Sequence, residues 1–500
     1  MEARYQGNVD IGKLSVHAFP GLQVAAEQVV VRRREEPANM PPFISIGKLS
    51  LHTGASALLR KAPKLGLVEL QGLVINVPPR RDRRPEEDVD ARNQKAGDQQ
   101  DVPPDSGKPK RGVPDVSIVE LRADGTILRI HSRKPGKEPM QFDIERLTMH
   151  SVGPNQPMRF QARLHNATPP GWIDSHGKFG PWNAEELSLT PVSGSYQFRD
   201  ADLSVFRGIS GMLSSDGAYD GRLERIEVEG WTDTPDFTLG LSGNRVPLRT
   251  EFKAVVDGTN GDTYLQPVTA KLGESTFVAR GSIANQPGPD GKPTKGKTIS
   301  LQVSADRARI EDFLRLAIKA EPPLSGTMKM NARLNLPPGK QDVADKLFLK
   351  GEFLLASARF ADDDVQSKIR TLSLRGRGIN KKEEAQAGKE RVVSNLQGKF
   401  LLENGRMALS GVAFRVPGAV VHVQGQYGLR SENLDFEGEL RIDAKVSETV
   451  SGIKALLLKP IDPLFRRDGA GAVIPIRIQG PREEPKFGVD IKRALPFARD

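Results

Sequence analysis

"VDIGKLSVH" (9–17) and "ISIGKLSLH" (44–52) are near copies, and both alternate apolar with polar residues. In the first, Val9 and Ile11 share a face and, after a shift, so do Leu14 and Val16. In the second, Ile44 and Ile46 are followed by Leu49 and Leu51 in the same way. A period of two belongs to a strand with one face in apolar surroundings; an amphipathic helix repeats every 3.6 residues. Looser relatives follow in "LGLVELQGLVINV" (65–77), "VSIVELRADGTILRI" (116–130) and "FDIERLTMHSV" (142–152). Short strands at this spacing predict an antiparallel meander, and their repetition predicts a sheet that grows by adding similar units.

The C-terminal third is the most regular. Over residues 395–446, Phe400 and Leu402 share a face, as do Val421, Val423 and Tyr427, and then Phe436, Leu440 and Ile442. The opposite face carries His422, Gln424, Gln426, Glu437, Glu439 and Arg441. The stretch 469–493 reads as two more strands around the charged turn "GPREEPK" (480–486). Ile474, Ile476 and Ile478 point one way and Pro475, Arg477 and Gln479 the other; Phe487, Val489 and Ile491 resume the pattern.

Helix signals are few. "DRARIEDFLRLAIKAE" (306–321) is the best, with Ile310, Phe313, Leu314 and Ala317 on one face and Pro322 as its stop. Weaker candidates lie at 200–213, 362–373 and 447–459. Residues 80–112 are charged, rich in proline and glycine, and without leucine or aromatic residues. Such a segment buries too little to order itself and predicts a disordered linker. Smaller loops of this kind lie at 285–297 and 380–391. The chain therefore divides into 1–79 (repeated strand units), 80–112 (linker), 113–300 (a middle β region) and 301–500 (a C-terminal β region with short helices).

Composition sets limits. The absence of cysteine excludes disulfides, thiolate catalysis and cysteine zinc sites. The net charge of +10 arises from 73 basic and 63 acidic residues, a mild excess that demands neither nucleic acid nor an anionic membrane. No apolar run reaches the roughly 18 residues of a membrane-spanning helix, and "EARYQGNVDIGKLSVH" after Met1 is no signal peptide.

The search for chemistry finds no catalytic constellation. The seven histidines include no pair at metal-ligand spacing, so neither a metal nor a cofactor is expected. "DGTNGD" (257–262) puts Thr259 and Gly261 where a calcium loop needs oxygen-bearing acids or amides, and reads as a turn. "DSHG" (174–177) holds triad letters, but adjacent residues do not make a triad. Basic residues are interleaved with acids and no aromatic stacking platform exists, so nucleic acid is not an expected partner.

Longer stretches carry a family signal. Residues 414–449, 456–493, 177–217 and 226–268 resemble the C-terminal and middle regions of AsmA-like proteins of the Gram-negative envelope, a likeness running from about residue 9 to the end. The resemblance implies a long, curved, antiparallel, groove-like sheet in the periplasm, related to bridge-like lipid-transfer proteins. It implies tethering to the inner membrane by an N-terminal helix that this sequence lacks. It further implies a non-enzymatic role in moving phospholipid towards the outer membrane, with phospholipid and envelope proteins as partners. On that reading the acyl chains lie against Phe400, Leu402, Val421, Val423, Phe436, Leu440, Ile442, Ile474, Ile476, Ile478, Phe487, Val489 and Ile491. The rival expectation is a scaffold that assists outer-membrane protein assembly through its sheet edges and carries no lipid.

Overall fold

The computed structural model describes residues 7–17, 22–33, 41–54, 63–77, 116–131, 139–153, 155–183, 186–286, 296–361, 394–442, 466–467 and 470–489, with scattered positions between 363 and 373. The protein is mainly β, as the alternation predicts. Its first strands are β1 (Gly7–His17), β2 (Leu22–Arg33), β3 (Ile44–Thr53), β4 (Lys64–Val77), β5 (Ser117–Ile130), β6 (Met140–Val152), β7 (Met158–Ala167), β8 (Pro170–Phe179) and β9 (Pro191–Asp202). Next come β10 (Ile209–Ser210), β11 (Met212–Arg222), β12 (Arg225–Thr234), β13 (Thr238–Leu239), β14 (Leu248–Val256), β15 (Thr263–Leu272), β16 (Ser275–Ala284), β17 (Thr298–Arg309) and β18 (Leu324–Leu336). The last are β19 (Phe348–Phe360), β20 (Ser394–Glu403), β21 (Arg406–Val416), β22 (Ala419–Gly428), β23 (Asn433–Ile442), β24 (Arg466–Arg467), β25 (Ala470–Pro481) and β26 (Lys486–Val489). Two compact units divide the chain: Met1–Ala201, Ser215–Gly230 and Ala254–Thr263 form one, and Asp202–Ser214, Trp231–Lys253 and Tyr264–Asp500 the other.

In the first unit β1 to β9 pair in sequence order. The shift within each repeat has a physical origin. Gly12, Gln28, Gly47, Gly72 and Gly125 are unpaired residues at one height of β1 to β5, and the register is the same on both sides of them. Gln28, Gly72 and Gly125 have φ of 56°, 64° and 65°. One extra residue in a lone strand would turn the rest of it over. Here every strand takes it together, so Ile11 and Leu14, three apart, stay on one face. The resulting rows cross the sheet: Leu14, Ala26, Leu49, Leu70, Ala123, Leu147 and Ala162 are successive partners. Val68, Leu70, Leu73 and Ala123 are the buried centre of this face.

The pairing of β4 with β5 is parallel. A parallel pair needs a crossover of a dozen or more residues, where an antiparallel pair needs only a turn. The predicted linker at 80–112 falls in this crossover and lies outside the described residues.

In the second unit β16 to β23 pair in order, followed by β25 and β26. The predicted helix is present but shorter: α1 covers Ile310–Ala317, and Asp306–Arg309 belong to β17. Ile310 and Phe313 pack against Ala305, Met328 and Leu355 of the sheet as the periodicity predicts. The sequence pattern does not predict the burial of Leu316 and Asp312. Asp312 is buried because it accepts hydrogen bonds from the Glu274 N–H and, at 2.7 Å, the Ser275 hydroxyl. The helix ends at Ala317, before Pro322, since Ile318 is extended and itself buried. The candidate helix at 200–213 is instead a single 3-10 turn, Leu203–Val205, capped by Asp202 and followed by strand. Most of 362–373 and all of 447–459 lie outside the described residues. A four-residue helix, α2 (Val343–Lys346), had no sequence signal beyond its capping Asp342.

Candidate functional site

Backbone registers place the predicted residues of the second unit in common rows. One row joins Leu349, Leu402, Met407 and Tyr427. The next joins Gly351, Phe400, Leu409, Gly425, Phe436 and Ile478, and β26 adds Phe487 as the backbone partner of Ile478. A further row runs Leu355, Leu396, Phe414, Val421, Leu440, Ile474. Val423 and Ile476 both pair with Gly438, and Val489 pairs with Ile476. Ile442 pairs with Ala419 and Ala472, while Ile491 lies outside the described residues.

The opposite face is polar. His422 pairs with Glu439, Gln424 with Glu437, and Glu437 with Arg477. Gln479 donates to Asp435 at 2.8 Å and Gln424 to Glu437 at 3.2 Å. Burial differs along the apolar face. Phe400, Leu402 and Phe436 are buried, whereas Val421, Val423, Leu440, Ile474, Ile476 and Ile478 are half-buried. A sandwich core would close all of them from water.

The aromatic residues of this face have an arrangement that the alternation does not reveal. "GEF" (351–353) and "GKF" (398–400) lie on neighbouring antiparallel strands, so Gly351 faces Phe400 and Phe353 faces Gly398. A Cβ on Gly351 would meet Phe400 Cζ at 2.7 Å, and one on Gly398 would meet Phe353 Cε1 at 3.3 Å. The ring of Phe436 covers Gly425 likewise, with Cδ1 at 2.7 Å. The first unit repeats the device with "GSY" (194–196) and "GAY" (217–219). Tyr219 covers Gly194, its hydroxyl oxygen 2.7 Å from a Cβ there, and Tyr196 covers Gly217 at 2.7 Å. The Tyr219 hydroxyl shares a 2.8 Å hydrogen bond with Ser175, and that of Tyr196 a 3.0 Å bond with Ser215. Burial pushes both phenols above the ordinary tyrosine range. Aromatic side chains set against glycines cover bare backbone. The signal was in the sequence as glycine and an aromatic residue two apart, on strands that become neighbours.

The letters of "DSHG" do not converge. Asp174 and His176 lie on the polar face, and Ser175 lies on the other, donating to the Ser195 carbonyl at 2.9 Å. His176 Nε2 instead meets Ser195 Oγ at 3.0 Å, beside an open hollow of about 560 Å³ lined also by Arg146, Gln161, Arg163 and Asp174. "DGTNGD" is a turn in which Asp257 accepts from the backbone N–H of Thr259 and from Asn260 Nδ2, both at 2.9 Å. Among the described residues no cluster of three or more acids or histidines could hold a metal ion, and no helix is long and apolar enough to cross a membrane.

Comparison of the chain with protein-family models, with curated proteins and with solved structures finds no match.

Proposed function

We propose that this chain binds phospholipid acyl chains along its apolar face and conducts them between the inner and outer membranes of a Gram-negative envelope. The observation that carries the reading is the face of the second unit: in-register aliphatic rows, half-buried rather than closed off, with aromatic rings set against glycines. A phospholipid holds about 30 methylene groups, and at ~0.8 kcal/mol each their exposure costs on the order of 25 kcal/mol. A carrier must therefore offer continuous apolar lining. Interchangeable aliphatic side chains hold a tail without fixing its position, so a chain can slide from row to row. No bond is made or broken, and no cofactor is required. The resemblance to AsmA-like proteins supports a periplasmic place and an inner-membrane tether.

Native mass spectrometry of the purified chain tests this. Phospholipid bound in stoichiometric amount is the expected result. Lipid-free protein from a membrane-containing host would overturn the reading in favour of an assembly scaffold.

A further inference from the structure

The apolar row that runs from Leu355 to Ile474 also extends the other way. Leu355 pairs with Met328 and Met328 with Ala308, so the row begins on β17. Its two ends differ in cover. Ala308, Met328 and Leu355 are 0%, 3% and 1% exposed. Leu396, Phe414, Val421, Leu440 and Ile474 are half-buried. Helix α1 accounts for part of that difference. Ile310 and Phe313 pack on a buried cluster of Met328, Leu355 and three alanines, Ala305, Ala308 and Ala358. Small side chains recess the floor where the helix sits. The Phe313 ring reaches that of Phe277 on β16, 6.0 Å between centroids. Helix α1 therefore stands on the row that the proposed acyl chains follow.

Its fastenings suit a helix that can leave. At its start the Asp312 carboxylate accepts hydrogen bonds from the Glu274 N–H at 3.1 Å and the Ser275 hydroxyl at 2.7 Å. At its end Asn244 Nδ2 donates to the carbonyls of Arg315 and Ile318 at 3.0 and 2.9 Å. Asp312 is 4% exposed. A buried carboxylate gives up hydration when the helix seats and recovers it when the helix lifts, so it fixes position more than it adds stability. The remaining hold on the row is apolar. A methylene chain slipped beneath α1 would touch Ile310 and Phe313 above and the alanine floor below. It would restore burial of the same kind, because apolar burial depends on area and not on which group supplies it. Lifting is then unfavourable in the lipid-free chain and close to balanced in the loaded one. A ligand that gains contacts in one state shifts the population towards it.

We infer that α1 is a gate on the acyl path. Seated, it closes the β17–β19 end of the row; an acyl chain arriving from β20 lifts it. The inference rests on the lipid reading of this face.

The test uses the full chain with vesicles of phosphatidylethanolamine and phosphatidylglycerol. A photoreactive phenylalanine, p-benzoylphenylalanine, replaces Phe414 on β21 or Phe277 on β16, the two sides of the gate. The chain has no cysteine, so Ser275→Cys with Asp312→Cys puts a single reducible disulfide across the start of α1. With the disulfide reduced, lipid adducts are expected at both positions. Oxidation should cut the adduct at 277 about tenfold or more and leave that at 414 unchanged. Equal adducts at 277 in both redox states, or none in either, would overturn the gate while the adduct at 414 upholds lipid binding. No adduct at 414 would remove the lipid reading and the gate with it. Hydrogen exchange of the unmodified chain is the second measurement: α1 amides should lose protection on lipid loading, and unchanged protection would also overturn the gate.

Discussion

The ring of Phe400 lies across Gly351, with its Cζ 2.7 Å from where a side-chain carbon on that glycine would stand. The same position also approaches the Asn331 carbonyl. Gly351→Ala should therefore cost about 1–3 kcal/mol by forcing the ring and strand apart. Urea unfolding measures this. Phe400→Leu in the same chain should recover part of the loss but not all, because the backbone contact remains.

Gly72 is a different case. It has φ of 64°, yet its nearest neighbours lie 3.7 Å or more from an added Cβ. Gly72→Ala should cost about 1 kcal/mol through backbone conformation alone. A loss equal to that at Gly351 would mean that the aligned break is sterically crowded after all.

Thr126 is 1% exposed, and its hydroxyl has no hydrogen-bond partner. It sits on the apolar face opposite Ile144. Thr126→Val keeps the shape and removes the orphan hydroxyl. Stability should rise by about 1 kcal/mol, read as a higher Tm at neutral pH.

His131 Nε2 lies 3.2 Å from Asn76 Oδ1, and burial, with Arg129 adding to it, holds the imidazole below its ordinary pKa. The unfolded chain then takes up the proton more readily than the folded one. Stability from this group is complete above the unfolded value, about 6.5, and is lost as pH falls below it. His131→Gln should flatten the Tm profile on the acid side and leave it unchanged above neutrality. A parallel acid-side profile in the variant would remove His131 from the account.

Ile476 is half-buried on the apolar face and pairs with Gly438 and Val489. Ile476→Glu places a charge among the rows, while the glycine beside it leaves room. Circular dichroism and Tm should change little, with a cost of about 1 kcal/mol, and co-purified phospholipid should fall sharply. Normal lipid loading of a folded variant would count heavily against acyl chains lying on these rows.

The strands were legible because their signal is local. Alternation from Val9 to Val16 or from Val421 to Leu440 needs only a pleated backbone and one apolar side. The repeat was legible for the same reason, since "IGKLS" occurs twice. The helix at Ile310–Ala317 was legible in kind but not in length, because strand pairing of β17 claimed Asp306–Arg309 first. The stretch 200–213 is not a helix because Ala201 belongs to β9, Ile209 to β10, and Met212 and Leu213 to β11, leaving only Leu203–Val205 to turn.

By itself the sequence determined a mainly β chain with one oily and one wet side per strand, because period-two patterning acts within single strands. Only the tertiary structure decided which strands meet, and three consequences depend on that meeting. The break at Gly12 is harmless because Gln28, Gly47 and Gly72 break beside it. Phe400 reaches over Gly351 because β20 brings it there. Strand β1 and its copy β3 differ in exposure because β3 has a strand on both edges and β1, among the described residues, on one. Register couples residues far apart in sequence, and no local pattern contains it.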